Sequence, residues 1–187
     1  AEGIAVGLSC KLLPHNFNEL IDASIAVLRK RSFELLPDFP TGGLADVSNY
    51  NEGERGGRVR CRARIQKLDS KTPEITEIPF GTTTTSLMES IVKANEKGKI
   101  KVRHIDDNTA ENASIVIHLA TGVSPDNTID ALFAFTDCEV SLAPNAVVIE
   151  NDKPRFVSVK ELLRISTENT LRLLELELKI KKSELEE

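Results

Sequence analysis

No apolar run in the 187 residues approaches the ~20 that a membrane-spanning helix requires, so the chain reads as soluble, with no membrane partner. Cysteine is scarce. Cys10, Cys61 and Cys138 are odd in number, far apart and without CxxC spacing, which argues against a disulfide framework or a zinc site and fits a reducing cytoplasm. The single tyrosine, Tyr50, sits in the turn-rich stretch VSNYNEGERGG, a context that suits a surface or packing side chain. The glycine-rich NEGERGGR lacks the Gly-Lys-Ser/Thr ending of a phosphate-binding loop, so nucleotide binding is not expected. His15, His104 and His118 are not grouped at ligand spacing. Asp106-Asp107 suits a loop, because adjacent carboxylates alone do not supply the oxygen shell of a hard cation. The N-terminus has neither an initiator methionine nor the pattern of a signal peptide, and reads as a cut inside a longer protein. Internal repeats and low-complexity tracts are also missing.

What is present is ordinary in bulk. Hydrophobic residues at 40% and charged residues at 28% suit one soluble domain, here with an extra helix. The net charge of −5 argues against a uniformly basic surface, but partners respond to local fields. From Arg55 to Lys67 there are six basic residues and no acidic one, while Glu175, Glu177, Glu184, Glu186 and Glu187 crowd the C-terminus.

Asn16 and Glu19 have the spacing of a capping box, and Phe17, Leu20, Ile21, Ile25 and Leu28 follow at helical spacing, which predicts a helix from Phe17 to Lys30. PDFPTGG is a turn or boundary, since two prolines and two glycines break regular structure. GGRVRCRARIQKL alternates strictly, which predicts one strand with Arg58, Arg60, Arg62 and Arg64 on one face, and EITEIPF is its returning partner. Ser86 with Glu89 caps a second helix that stops at Gly98. KIKVRHI and ASIVIHLA read as strands, and Ser124-Pro125 opens a helix through Phe135. EVSLA and AVVIE form a further hairpin, with Asn151-Asp152 at a turn, and Ser158 with Glu161 caps a last helix carrying Leu171, Leu174, Leu178 and Leu185 at a/d-like spacing. The class is α+β: a largely antiparallel sheet with packed helices and a projecting C-terminal helix.

The arginine row would space guanidiniums about 6.6 Å apart, close to two phosphate rises of about 3.4 Å. Its alternative is a solvated face paired with acids such as Glu74 and Glu77, each exposed pair worth only ~0–1 kcal/mol.

GIAVG (3–7), PHN (14–16), PDFPTGG (37–43), the arginine-rich strand and EIPF (77–80) occur in an order and at a spacing that resemble the A subunits of bacterial type IIA DNA topoisomerases, gyrase and topoisomerase IV. The wording is closer to topoisomerase IV. The resemblance covers nearly the whole chain and implies a tower-domain fragment: residues 1–36 connect from a winged-helix region, 37–157 form the α+β tower domain, and 158–187 begin a coiled-coil arm. It implies no catalytic residue here, because the family's nucleophilic tyrosine lies upstream of GIAVG. It implies no cofactor in this stretch either, ATP and magnesium being handled by the B subunit. The partners implied are DNA, the B subunit, plus a second A subunit in an A2B2 assembly, in the bacterial cytoplasm on the chromosome.

For Ile4 the resemblance implies a wedge between base pairs that helps bend DNA, against the alternative of a core isoleucine between close-packed glycines. Lys11, where relatives carry a smaller polar residue, joins Arg58, Arg60, Arg62 and Arg64 as a candidate DNA contact. His15 of PHN either hydrogen-bonds at the start of the helix or sits near DNA. Leu13-Pro14 replaces the usual two prolines, and Thr84, in the run TTTT, stands where relatives carry a lysine. Two functions remain open: a piece that bends and supports DNA, or a structural tower linking the cleavage domain to the coiled coil.

Overall fold

The computed structural model describes residues 2–69, 71–150 and 152–186. They form two compact units, one from Ala1–Asp38, Tyr50–Gly57 and Ala143–Glu187, the other from Phe39–Asn49 and Arg58–Leu142. This division differs from the consecutive segments 1–36, 37–157 and 158–187, because residues 50–57 and 143–157 fold with the N-terminal stretch. Every sheet pairing is antiparallel. The fold is α+β, as the pattern of hairpins and helices predicts.

In the second unit β3 (Leu44–Asn49), β4 (Arg58–Arg62) and β9 (Glu139–Leu142) make a three-stranded sheet in the order β3-β4-β9. A four-stranded sheet has the order β5-β6-β8-β7, from β5 (Arg64–Asp69), β6 (Thr72–Glu77), β7 (Val102–Asp107) and β8 (Ile115–Leu119). Helices α2 (Thr84–Glu96) and α3 (Pro125–Phe135) complete the unit. Alternation places Ile75, Ile115 and Ile117 on the buried face of the larger sheet, where they cluster with Leu87 and Ile91 of α2 and Leu132 of α3. Each such side chain contributes about 1.5–3 kcal/mol by leaving water.

Three expectations are corrected here. The arginine-rich stretch is two strands in two sheets, since the chain breaks at Ala63, which is buried and donates its amide to the Cys138 carbonyl at 2.8 Å. Helix α2 starts one turn earlier than Ser86 with Glu89 implies. Thr83 is the N-cap, its hydroxyl accepting from the Ser86 amide while the Ser86 hydroxyl accepts from the Thr83 amide. EVSLA and AVVIE do not pair: β9 lies beside β4, and β10 (Val147–Glu150) pairs with β11 (Lys153–Phe156). Asp152, at φ +59, lies in that hairpin's turn, and Asn151 falls outside the described residues.

In the first unit a hairpin of β1 (Glu2–Ala5) and β2 (Leu8–Lys11) precedes α1 (Phe17–Leu28). The Asn16 side chain accepts from the amides of Asn18 and Glu19, as its N-cap spacing predicts. Helix α4 (Val159–Glu186) begins where the Ser158 hydroxyl accepts from the Glu161 amide and runs 28 residues, about 42 Å. Only Val159 and Thr167 of α4 are buried. Leu171, Leu174, Leu178 and Leu185 are all exposed, so this stripe is not part of the unit's core.

Residues 39–43 of PDFPTGG belong to the second unit and are held tightly there at Gly43. Gly43 has φ +87, its amide donates to Glu77, and a Cβ there would stand 2.6 Å from the Arg62 carbonyl oxygen. Gly43→Ala should therefore lower stability by more than ~1 kcal/mol, because neither the backbone conformation nor the space admits a side chain. An unchanged urea midpoint would contradict this packing.

Candidate nucleic-acid interface

The β1–β2 hairpin turns through Val6 and Gly7, with Ala5 opposite Leu8 and Gly7 at φ +76. Ile4 is 88% exposed, Val6 is fully exposed, and a Cβ added at Gly3 or Gly7 would meet nothing within 4 Å. The core alternative for Ile4 required close-packed glycines, and these glycines stand in open space. Val6, which is absent from the expected DNA contacts, shares the tip with Ile4. An apolar residue within a glycine-bearing loop is the signal that could have marked it.

Lys11 ends β2. Its ammonium is 3.7 Å from Glu2, and its backbone exchanges two 2.9 Å hydrogen bonds with Asn145. Its role in the fold is thus carried by the main chain, which leaves the side chain partly exposed.

His15 turns away from the surface toward Tyr50. Its Nε2 lies 3.1 Å from the Tyr50 hydroxyl, and Tyr50 is only 3% exposed. Burial, with the Glu52 charge adding to it, pushes the Tyr50 phenol up to about 12. Burial also lowers the His15 pKa below its ordinary 6.5, against the opposing effects of a hydrogen bond to the Leu13 backbone and the charges of Glu19 and Asp38. The arrangement fits a neutral imidazole accepting from the tyrosine hydroxyl. Tyr50 is therefore a packing residue: a buried phenol with a raised pKa and an engaged hydroxyl is a poor nucleophile.

Arg58, Arg60 and Arg62 project from the exposed face of β4, while Val59 and Cys61 point inward. Arg64 belongs to the other sheet. Three of the four meet acids that are distant in sequence. Arg60 pairs with Asp46 at 2.8 Å, Arg64 with Glu77 at 3.0 Å, and Arg62 with Glu139. Hydrogen bonds from Ser48, then the contact with Arg60, bring the Asp46 carboxyl down to about 2. Arg58 has no acidic partner among the described residues.

His104 and His118 face each other across β7 and β8, with Asp106 between them. Their Nε2 atoms lie 2.6 and 2.9 Å from its two carboxylate oxygens. Asp107 accepts from the Thr109 amide. Asp106 and Asp107 lie in β7 rather than in the expected loop, and as neighbours in a strand they point to opposite faces, so the pair does not supply the several oxygens of one octahedral shell that a magnesium ion needs. Thr84 is the first residue of α2, one step inside the Thr83 cap.

A family model for the DNA gyrase/topoisomerase IV A subunit matches residues 1–187. The chain belongs to that family. It is 42% identical over 185 residues to the A subunit of DNA topoisomerase 4 from Borreliella burgdorferi, a match covering 99% of this chain and 29% of that relative. It is 30% identical over 181 residues to the A subunit of DNA gyrase from Chlamydia muridarum, covering 87% of this chain and 22% of the gyrase. With the A subunit of the chloroplastic/mitochondrial DNA gyrase of Arabidopsis thaliana the identity is 33% over 183 residues, covering 88% of this chain and 19% of that protein. The chain thus spans less than a third of the length of these relatives, and it is more similar to the topoisomerase 4 protein than to either gyrase.

The His15–Tyr50 contact generates a pH prediction. With the folded pKa below 6.5, the unfolded chain takes up the proton first, so stability is full above about pH 6.5 and falls as the pH drops toward the folded pKa. The carboxylates with lowered pKa, such as Asp46, stay ionised in that window. Melting temperature should therefore drop between about pH 7.5 and 5.5, and the drop should shrink in His15→Gln. Parallel pH profiles for the two proteins would show that His15 is not protonated against the fold.

Proposed function

We propose that this chain bends and supports DNA within an ATP-dependent type II topoisomerase, an enzyme that breaks both strands of one duplex, passes another through and reseals, and so unlinks and relaxes DNA. The observation that carries the reading is the exposed Ile4 near the tip of the β1–β2 hairpin, where the flanking glycines stand in open space. A side chain that is to enter a base step must be free before DNA arrives. Unstacking costs a few kcal/mol per step, which the wider contact allowed by bent DNA offsets. Arg58, with no acidic partner among the described residues, is the cation of the predicted set best placed for phosphates, and Lys11 would first have to leave Glu2 at 3.7 Å. Arg60, Arg62 and Arg64 would have to exchange carboxylates for phosphates.

In this reading the B subunit handles ATP and magnesium, a second A subunit completes an A2B2 assembly, and the nucleophilic tyrosine lies elsewhere in the A subunit. A purely structural role, as a tower that carries one arm of a coiled coil, is favoured by a specific feature: every residue of α4 from Glu168 to Glu186 is exposed. The chain alone, mixed with the B subunit, magnesium and ATP, should form no covalent complex with DNA. A protein-linked DNA end that disappears in Tyr50→Phe would overturn this.

Ile4→Ala, placed in the intact A subunit, should lower DNA bending and cleavage while leaving folding nearly unchanged. Truncating an exposed side chain costs little, whereas truncating a core isoleucine costs about 2–5 kcal/mol. Energy transfer between labelled duplex ends reads the bend, and thermal melting reads the fold. Normal bending with early melting would assign Ile4 to packing and remove the basis of the proposal.

A further inference from the structure

Within KGKIKVR, cations occupy alternate positions: Lys97, Lys99, Lys101 and Arg103. Lys97 is the C-cap of helix α2, Gly98 turns the chain at φ +69, and Ile100 is buried in the core of the second unit. Val102 is half-buried, and its backbone is pinned at both ends by the Asn95 side chain, at 2.9 and 3.2 Å. With Ile100 and Val102 turned inward, all four cations are exposed. They lead into β7, an edge strand of the four-stranded sheet.

None of the four has an ion-pair partner among the described residues, whereas Arg60, Arg62, Arg64 and Lys67 of the same unit are each joined to an acid. The Lys99 ammonium lies 5.3 Å from the centre of the Phe135 ring, a neutral neighbour that leaves its charge unopposed. Several nearby acids are already engaged. Glu89 pairs with Lys93, Asp106 lies between His104 and His118, and Asp107 accepts from Thr109. Glu96 stays exposed, and Asp137 lines the cavity of about 480 Å³ that Lys97 and Lys99 also line.

We propose that Lys97, Lys99, Lys101 and Arg103 are the principal phosphate-contacting strip of the second unit, in preference to the carboxylate-paired Arg60, Arg62 and Arg64. The proposal rests on the DNA-supporting role set out above and names the surface that performs it. An arginine already held by a carboxylate gains little on exchanging it for a phosphate. A solvated, unpaired cation instead releases DNA counterions at no such cost. Lys101 and Arg103, where the chain extends into β7, would stand about 6.6 Å apart, close to two phosphate rises of about 3.4 Å along one DNA strand, while Lys97 and Lys99 add charge from the turn before it. Such contacts position a duplex without reading its sequence.

The test uses this chain and a fluorescently labelled mixed-sequence duplex, with affinity followed by anisotropy over a salt series. Replacing Lys97, Lys99, Lys101 and Arg103 together by Gln should flatten the slope of log affinity against log salt by about 0.9 per contact, about 3.6 if all four engage. Replacing Arg58, Arg60, Arg62 and Arg64 by Gln should flatten it by less than half as much. Melting curves verify folding, and the double variant Lys99→Gln/Lys101→Gln serves if the quadruple one is unstable. If the native chain binds with salt dependence and the strip variant keeps the native slope, the strip is refuted while the DNA-supporting role stands. If the native chain shows no salt-dependent binding, the strip is refuted too, and the Ile4 experiment in the intact protein decides the broader reading separately.

Discussion

The amide of Ala63 donates to the carbonyl of Cys138 at 2.8 Å, and this bond holds the backbone where β4 leaves one sheet and β5 enters the next. Both residues are buried in the cluster that also contains Ile75, Leu87, Ile117 and Leu132. Ala63 is 1% exposed, so the chain passes from one sheet to the next inside the core. The placing of the basic residues follows from that bend. Arg58, Arg60 and Arg62 stay beside β3 and β9, close to Asp46 and Glu139, while Arg64 passes to the side of Glu77.

This break also marks the limit of what the sequence reveals. Period-two alternation runs unbroken from Arg58 to Arg64, because Val59 and Cys61 of β4 and Ala63 at the break are all buried, so nothing in the pattern separates one strand from two. The acids that meet the arginines lie 13 to 77 positions away, beyond the reach of any local rule. Local rules succeeded where the physics is local, as at the Asn16 cap, the proline that opens α3 and the exposed leucines of α4. At α2 two overlapping capping patterns competed, and Thr83 prevailed because its hydroxyl and that of Ser86 satisfy each other's amides. The exposure of Ile4 could not be read in advance, since a core isoleucine and a free one are written with the same letter. It was the family resemblance that singled out the position.

The distribution of charge explains how an acidic chain can have basic surfaces. Acids stand beside the arginines of β4 and β5, so the average of −5 conceals places where positive charge stands alone. Exposed pairs of this kind add little to stability, and their larger effect is on where a polyanion can approach. Salt weakens such attraction over about 8–10 Å, so the contrast between paired and unpaired cations should be greatest at low ionic strength.

The β1–β2 hairpin keeps two branched aliphatic side chains, Ile4 and Val6, in water at its tip. Burial of either would be worth about 1.5–3 kcal/mol. In the free protein that hydration free energy is held in reserve rather than used for folding. Any apolar slot that accepts the tip releases it at the moment of contact, so the hairpin behaves as a hydrophobic probe whose driving force grows on warming from cold, as hydrophobic association does.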